Sequence, residues 1–278
     1  MRVKILGISA GRKNGNTDYL VKESLKGAED LEIGKGSFLN LSNKKINGCI
    51  ACHKCFGHEK GWGVRDRICY AHDDDLEPII KAILEVEGII MGAPVYVFGI
   101  PSKLRALMER TGAFTANGMN EAAGRLRHKS FGGIAVAAGR RAGQDQAAGE
   151  LLNWALCMGM TVVPAFPTEN GLPASSVHVA SADCVEAKWY LSKRATRKEH
   201  SVMPFPLGAI SAIKSAQNIG RNVAFHAAII KSGLDGLRIE GLPPPATARF
   251  RSFSGKIKKG SYLQDLVRQG LVKIPGKY

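Results

Sequence analysis

The chain has 278 residues, enough for one large domain or a domain with an appendage, and its 45% hydrophobic and 23% charged composition is ordinary for a soluble globular protein. No apolar run approaches the roughly 20 residues that cross a bilayer, so a helical membrane protein is not expected. The formal charge of +15 is lopsided: residues 187–278 hold seventeen Lys/Arg against four Asp/Glu, which suits an anionic partner, a solvated surface or a subunit contact.

Residues 3–8 form a near-continuous apolar run. Lys4 interrupts it, and Arg12-Lys13 follow where a signal peptide would carry its cleavage site, so it reads as a buried first strand of a cytoplasmic protein. Residues 17–28 have helical spacing, and 37–41 read as a second strand. Residues 44–73 are rich in Gly, His and charge and read as a loop. Leu76, Ile79, Ile80, Ile83 and Leu84 line one face of a helix over 76–86. A short buried strand follows at 88–92, then a helix over 101–111 with Pro101 in its first turn. Residues 131–138 are a strand, 143–158 a helix and 160–165 a fifth strand. Residues 167–207 are an insert with a helical pattern at 182–194. The longest late helix spans 209–231, and 232–278 form a basic extension with a short helix at 263–271. Strands separated by helices in this order predict a parallel α/β sheet covered on both faces.

Two segments carry chemistry. After the first strand comes Gly7-Ile-Ser-Ala-Gly-Arg-Lys-Asn-Gly-Asn-Thr17, a polar Gly-rich turn leading into a helix. Unpaired N–H groups and the helix dipole favour an anion there. Ser9, Asn14, Asn16 and Thr17 add side-chain donors, and Arg12 adds a charged fork suited to phosphate. The turn matches neither the triphosphatase loop nor the dinucleotide fingerprint. The second segment is Cys49-x2-Cys52-x2-Cys55, with Cys69 after thirteen intervening residues. In a reducing compartment such spacing points to a metal, a cluster or a redox pair. An iron–sulfur cluster suits four close thiolates. Zinc on these cysteines, or on one of His53, His58 and His72, is the alternative, as is a dithiol of Cys49 and Cys52. Cys157 lies in an apolar helical pattern and reads as a small core residue; Cys184 reads as unliganded.

The first segment resembles the FMN-phosphate loop of flavodoxin-like NAD(P)H-dependent FMN reductases, usually G-S-P-R-x-x-G-N-T. Ile89-Ile-Met-Gly-Ala-Pro-Val-Tyr96 is similar to that family's I-I-x-G-S-P-V-Y, and Lys103-Leu-Arg-Ala-Leu-Met-Glu-Arg110 to its L-K-x-x-x-D-R. Ala138-Gly-Arg-Arg-Ala-Gly-Gln144 resembles its third flavin loop, and 211–221 its closing helix. The cysteines resemble those of the iron–sulfur flavoprotein branch, and Cys69 with the following acids matches its C-x-x-x-D-D.

The resemblance implies a flavodoxin-like, doubly wound five-stranded parallel sheet over residues 1–231, with the cysteine loop at 44–73 and the extension beyond 232. It implies FMN held by Ser9, Arg12, Asn14, Asn16 and Thr17, with Pro94, Val95, Tyr96, Phe98, Gly139, Arg140 and Gly143 at the ring. It implies a [4Fe–4S] cluster on Cys49, Cys52, Cys55 and Cys69. The expected activity is electron transfer between the two cofactors, from a ferredoxin-like donor to a small acceptor, in a homodimer or homotetramer. No side-chain acid, base or nucleophile is called for. The rival enzyme reading is an NAD(P)H-dependent FMN or quinone reductase with a structural or zinc-bound cysteine loop. A rival outside enzymology, a nucleic-acid-binding regulator using the basic tail, has no recognised motif behind it.

Overall fold

The computed structural model describes residues 2–52, 69, 71–111, 125–137, 143–165, 177–181 and 207–237, all within the unit Met1–Ala248. The expected helices at 182–194 and 263–271, and the basic extension beyond 237, lie outside the described residues.

Strands β1 (Val3–Ser9), β2 (Gly34–Asn40), β3 (Gly88–Pro94), β4 (Ser130–Ala137), β5 (Thr161–Val162) and β6 (Val177–Ser181) alternate with helices α1 (Asn16–Glu29), α2 (Leu76–Leu84), α3 (Ser102–Glu109) and α4 (Gln144–Cys157); α5 (Leu207–Leu237) follows. All pairings are parallel, in the order β2-β1-β3-β4-β5. The strand predicted at 160–165 is shorter than expected. β5 pairs only with Ser130 and Phe131, whereas β6 pairs with Gly133–Ala137 further along the same strand. The fifth strand position is thus filled in two pieces, and part of the expected insert belongs to the sheet.

Strand side chains alternate between two cores. Ile5, Ile90, Ile134 and Val136 face α1 and α5, meeting Leu20, Val21, Leu25, Ala216, Ile219 and Val223. Leu6, Ile8, Ile89, Met91, Phe131 and Ala135 face α2, α3 and α4, meeting Ile80, Ile83, Leu104, Leu107, Leu151 and Trp154. Trp154 lies edge-on to Phe131 at 5.9 Å between ring centres, and its Nε1–H donates to Thr111 Oγ1 at 2.9 Å. The α1–α5 contact is closest at two glycines. A Cβ on Gly27 would stand 2.0 Å from Gln217 O, and one on Gly220 only 1.7 Å from Ser24 O. Cys157, expected in the core, is exposed at the end of α4, because the buried stripe of that helix runs through Ala147, Ala148, Leu151, Trp154 and Ala155.

Candidate functional site

In an open parallel sheet the first strands run outward from a point between β1 and β3, where the connections depart in opposite directions. The C-terminal ends of β1, β2, β3 and β4 therefore line one edge of the sheet. In sequence, the predicted phosphate loop, cysteine segment and two flavin loops follow these four strand ends.

The phosphate loop turns at residues 12–15, where Gly15 N donates to Arg12 O at 2.9 Å and Asn14 has a φ of 59°. Gly15 caps α1 with no side-chain bond, so no side chain claims the helix N-terminus at the cap and its N–H groups suit an anion. Arg12 and Asn14 are exposed, Asn16 is half-buried and Thr17 is buried. Ser9, expected as a phosphate donor, is fully buried, and its hydroxyl donates to the Asp18 carboxylate. Asp18 also accepts Asn14 N–H at 2.7 Å and Asn40 Nδ2–H at 2.6 Å, while Ser9 Oγ accepts Gly11 N–H at 3.2 Å. Asp18 is thus the organiser of the loop, a role the sequence did not disclose, since an acid in a first helical turn ordinarily reads as a dipole partner.

Asn40, the last residue of β2, joins this loop to the next. Its amide donates to Gly11 O at 2.9 Å, and its Oδ1 accepts Ser42 N–H at 2.7 Å. Lys103 of α3 donates to Ser42 O at 2.5 Å, just ahead of the cysteine segment.

The loop after β3 forms a two-residue turn. Tyr96 N donates to Gly99 O at 2.9 Å and Gly99 N to Tyr96 O at 3.1 Å, with Val97 and Phe98 at φ values of 48° and 62°. This turn type favours Asn and Gly, and a β-branched residue there is an outlier. Such strain is held at ligand clamps where surrounding contacts over-determine it. The turn also carries three exposed apolar side chains: Tyr96 at 55%, Val97 at 97% and Phe98 at 62%. Pro94 and Val95 are half-buried behind it. Gly143, with a φ of +93° at the N-terminus of α4, packs directly on this turn; a Cβ there would stand 2.5 Å from Phe98 Cα. Gly139 and Arg140 lie outside the described residues. An uncapped helix N-terminus beside a strained apolar turn fits a molecule with a phosphate and a flat apolar ring.

Of the four predicted ligands, Cys49, Cys52 and Cys69 are described and Cys55 lies outside. Among the described residues no three His, Cys, Asp or Glu gather as a metal site. Two sulfurs nonetheless accept N–H groups: Cys49 Sγ from Ala51 at 3.4 Å and Cys69 Sγ from Arg110 Nε at 3.1 Å. Sulfur accepting N–H bonds fits thiolate ligation. The end of α3 anchors both arms of the segment. Glu109 Oε2 accepts Cys49 N–H at 3.2 Å, and Arg110 forms an ion pair with Asp74 at 2.5 Å, both side chains being 1% exposed. Asp74 in turn accepts Asn47 N–H at 3.0 Å. Burial alone would raise the Asp74 carboxyl; the Arg110 bond and the backbone donors Asn47 and Leu76 outweigh it and hold it at about 2. Burial alone would likewise lower Arg110, and its bonds to Asp74 and Cys69 raise it instead. The acids after Cys69 and the arginine ending 103–110 were both visible as motifs; that they pair was not.

The NADPH-dependent FMN reductase family matches residues 3–171. An iron–sulfur flavoprotein of Methanocaldococcus jannaschii is 33% identical over 183 residues, covering 66% of this chain and 86% of the relative. An iron–sulfur flavoprotein of Methanosarcina thermophila is 28% identical over 162 residues, covering 58% and 77%. Among solved structures, RosB with a bound 8-demethyl-8-formylriboflavin-5'-phosphate intermediate superposes with a TM-score of 0.53 at 12% identity, over 94% of this chain and 93% of that one, a likeness of fold.

Proposed function

Since the chain belongs to the NADPH-dependent FMN reductase family, we propose that it passes electrons between FMN and a [4Fe–4S] cluster held by Cys49, Cys52, Cys55 and Cys69. Membership makes it a flavin-dependent oxidoreductase. The observation that carries the two-cofactor reading is Arg110, which at the end of α3 donates to Cys69 Sγ and to Asn47 O, both at 3.1 Å, and so holds both arms of the cysteine segment beside a sheet edge where α1 begins with no side-chain cap. Relatives named as iron–sulfur flavoproteins support it.

When bound, FMN supplies two-electron chemistry and a cluster supplies single-electron transfer. The chain's residues bind and orient. The N–H groups at the start of α1, with Arg12, Asn14, Asn16 and Thr17, hold the phosphate, and Asp18 fixes the loop through Ser9 and Asn40. The Tyr96–Gly99 turn and Gly143 flank the ring, with Gly139 and Arg140 completing the third loop. Glu109 and Arg110 hold the two arms that carry Cys49 and Cys69. A ferredoxin-like donor, a small-molecule acceptor, a cytoplasmic setting and a homodimer or homotetramer complete the proposal.

A second reading, an NAD(P)H-dependent FMN or quinone reductase with a structural or zinc-bound cysteine loop, is favoured by the family's description as NADPH-dependent. The test is iron, acid-labile sulfide, zinc and FMN per chain after anoxic purification, with a visible spectrum. About four irons, four sulfides and one FMN are expected. FMN without iron, with or without zinc, would favour the second reading, and a preparation that takes up no FMN would overturn both.

A further inference from the structure

Arg110 is 4% exposed and makes more bonds than a structural ion pair needs. Its Nη1 donates to Asp74 Oδ2 and, at 3.1 Å, to Asn47 O; its Nε–H donates to a third partner, Cys69 Sγ, at 3.1 Å. Burying a guanidinium is costly, and Asp74 with Asn47 offsets that cost. Neither of those partners requires the Nε–H to meet a sulfur. A planar fork with donors in fixed directions can satisfy a carboxylate on one edge while aiming a donor elsewhere, which an ammonium on a flexible stem does poorly.

We propose that Arg110 is a positioning residue acting through Cys69: its Nε–H fixes the sulfur for ligation and, with a [4Fe–4S] cluster on that sulfur, raises the cluster's one-electron reduction potential. The inference rests on the cluster reading given above. Hydrogen bonds to ligand sulfur draw electron density from the iron–sulfur unit and favour its reduced form, more so when the site is buried. Asp74 balances the charge of the guanidinium, so the directed N–H, rather than a net positive charge, does the tuning. Glu109, the preceding residue, accepts Cys49 N–H, so one helix end sets both arms of the loop.

The experiment compares wild-type protein with Arg110→Lys after anaerobic loading with iron and sulfide, reading iron and FMN per chain, the thermal transition, and the cluster's midpoint potential by an EPR-monitored titration. The lysine variant should keep FMN and iron while its potential falls by about 59 mV, a tenfold shift of a one-electron equilibrium. A fully loaded variant with an unmoved potential overturns the inference, even if its melting temperature falls, because a purely structural arginine would show that pattern. Should Arg110→Lys fail to fold, Arg110→Met combined with Asp74→Asn removes cation and counter-ion together and carries the same comparison. Wild-type protein that binds FMN but no iron overturns the cluster reading and this inference with it, whereas an iron-loaded wild type with an unmoved variant potential overturns this inference alone.

Discussion

The two faces of the sheet are held by different physics. On one, α1 and α5 approach until the backbone of one helix touches the other at Gly27 and Gly220, leaving no room for a methyl group. On the other, α2 and α3 close over an apolar core and are joined to the cysteine segment by the buried Arg110–Asp74 pair. A steric contact is indifferent to pH but intolerant of added atoms. An ion pair survives changes of shape nearby but depends on both charges. The α1–α5 face has charges too: burial alone would raise Glu23, but its bonds to Lys26 and to Gln217 of α5 lower it, and Arg221 pairs with Asp30; among the described residues these pairs are partly exposed, whereas Arg110–Asp74 is buried on both sides.

Three changes would break or sharpen this contrast. The largest effect is expected from Asp74→Ala, which strands a buried guanidinium and should cost about 4 kcal/mol, as one half of a buried pair does. Because the folded carboxyl sits at about 2, below its ordinary value of 3.8, its stabilisation is fully present above pH 4 and is lost as pH falls toward 2. The variant should lack that acid limb in urea titrations between pH 6 and pH 2.5. A cost below about 1 kcal/mol, the range of exposed pairs, would erase the distinction between the faces.

Gly220→Ala should cost about 3 kcal/mol by forcing α1 and α5 apart. A neutral outcome in denaturation would mean that the helices slide without penalty.

The smallest effect concerns Lys129, whose Nζ donates to Leu84 O at 3.1 Å and to Val86 O just beyond α2. Burial pushes this amine down to about 8, with Arg125 adding to the shift and Glu87 opposing it. Here the folded value lies below the unfolded one, so the unfolded chain binds the extra proton and stability rises as pH climbs from about 8 to 10.5. Wild-type protein should gain about 2 kcal/mol over that window relative to Lys129→Met. Parallel pH profiles for the two would show that the amine titrates normally.

Local pattern was enough to mark most of the sheet. The apolar runs at β1, β3 and β4 and the helical stripes of α1, α2 and α4 are local signals, because a strand buried on both faces must be apolar along its length. The edge strand was less legible: β5 has two paired residues and β6 five, too few for a pattern to stand out from an insert. Cys157 was misread for a related reason, since an apolar residue one position off the buried stripe of a helix looks the same in sequence as one within it.

The sequence alone determined the parallel α/β order, the polar Gly-rich turn after β1 and the spacing of the cysteines, since each is written in neighbouring residues. Only the tertiary structure decided that Ser9 serves Asp18, that Asn40 at the end of β2 does so too, and that Arg110 divides its donors between Asp74 and Cys69. These partners stand 9, 22, 36 and 41 residues apart along the chain, and their pairing is set by where the parallel strands end, a geometry no local window of sequence contains.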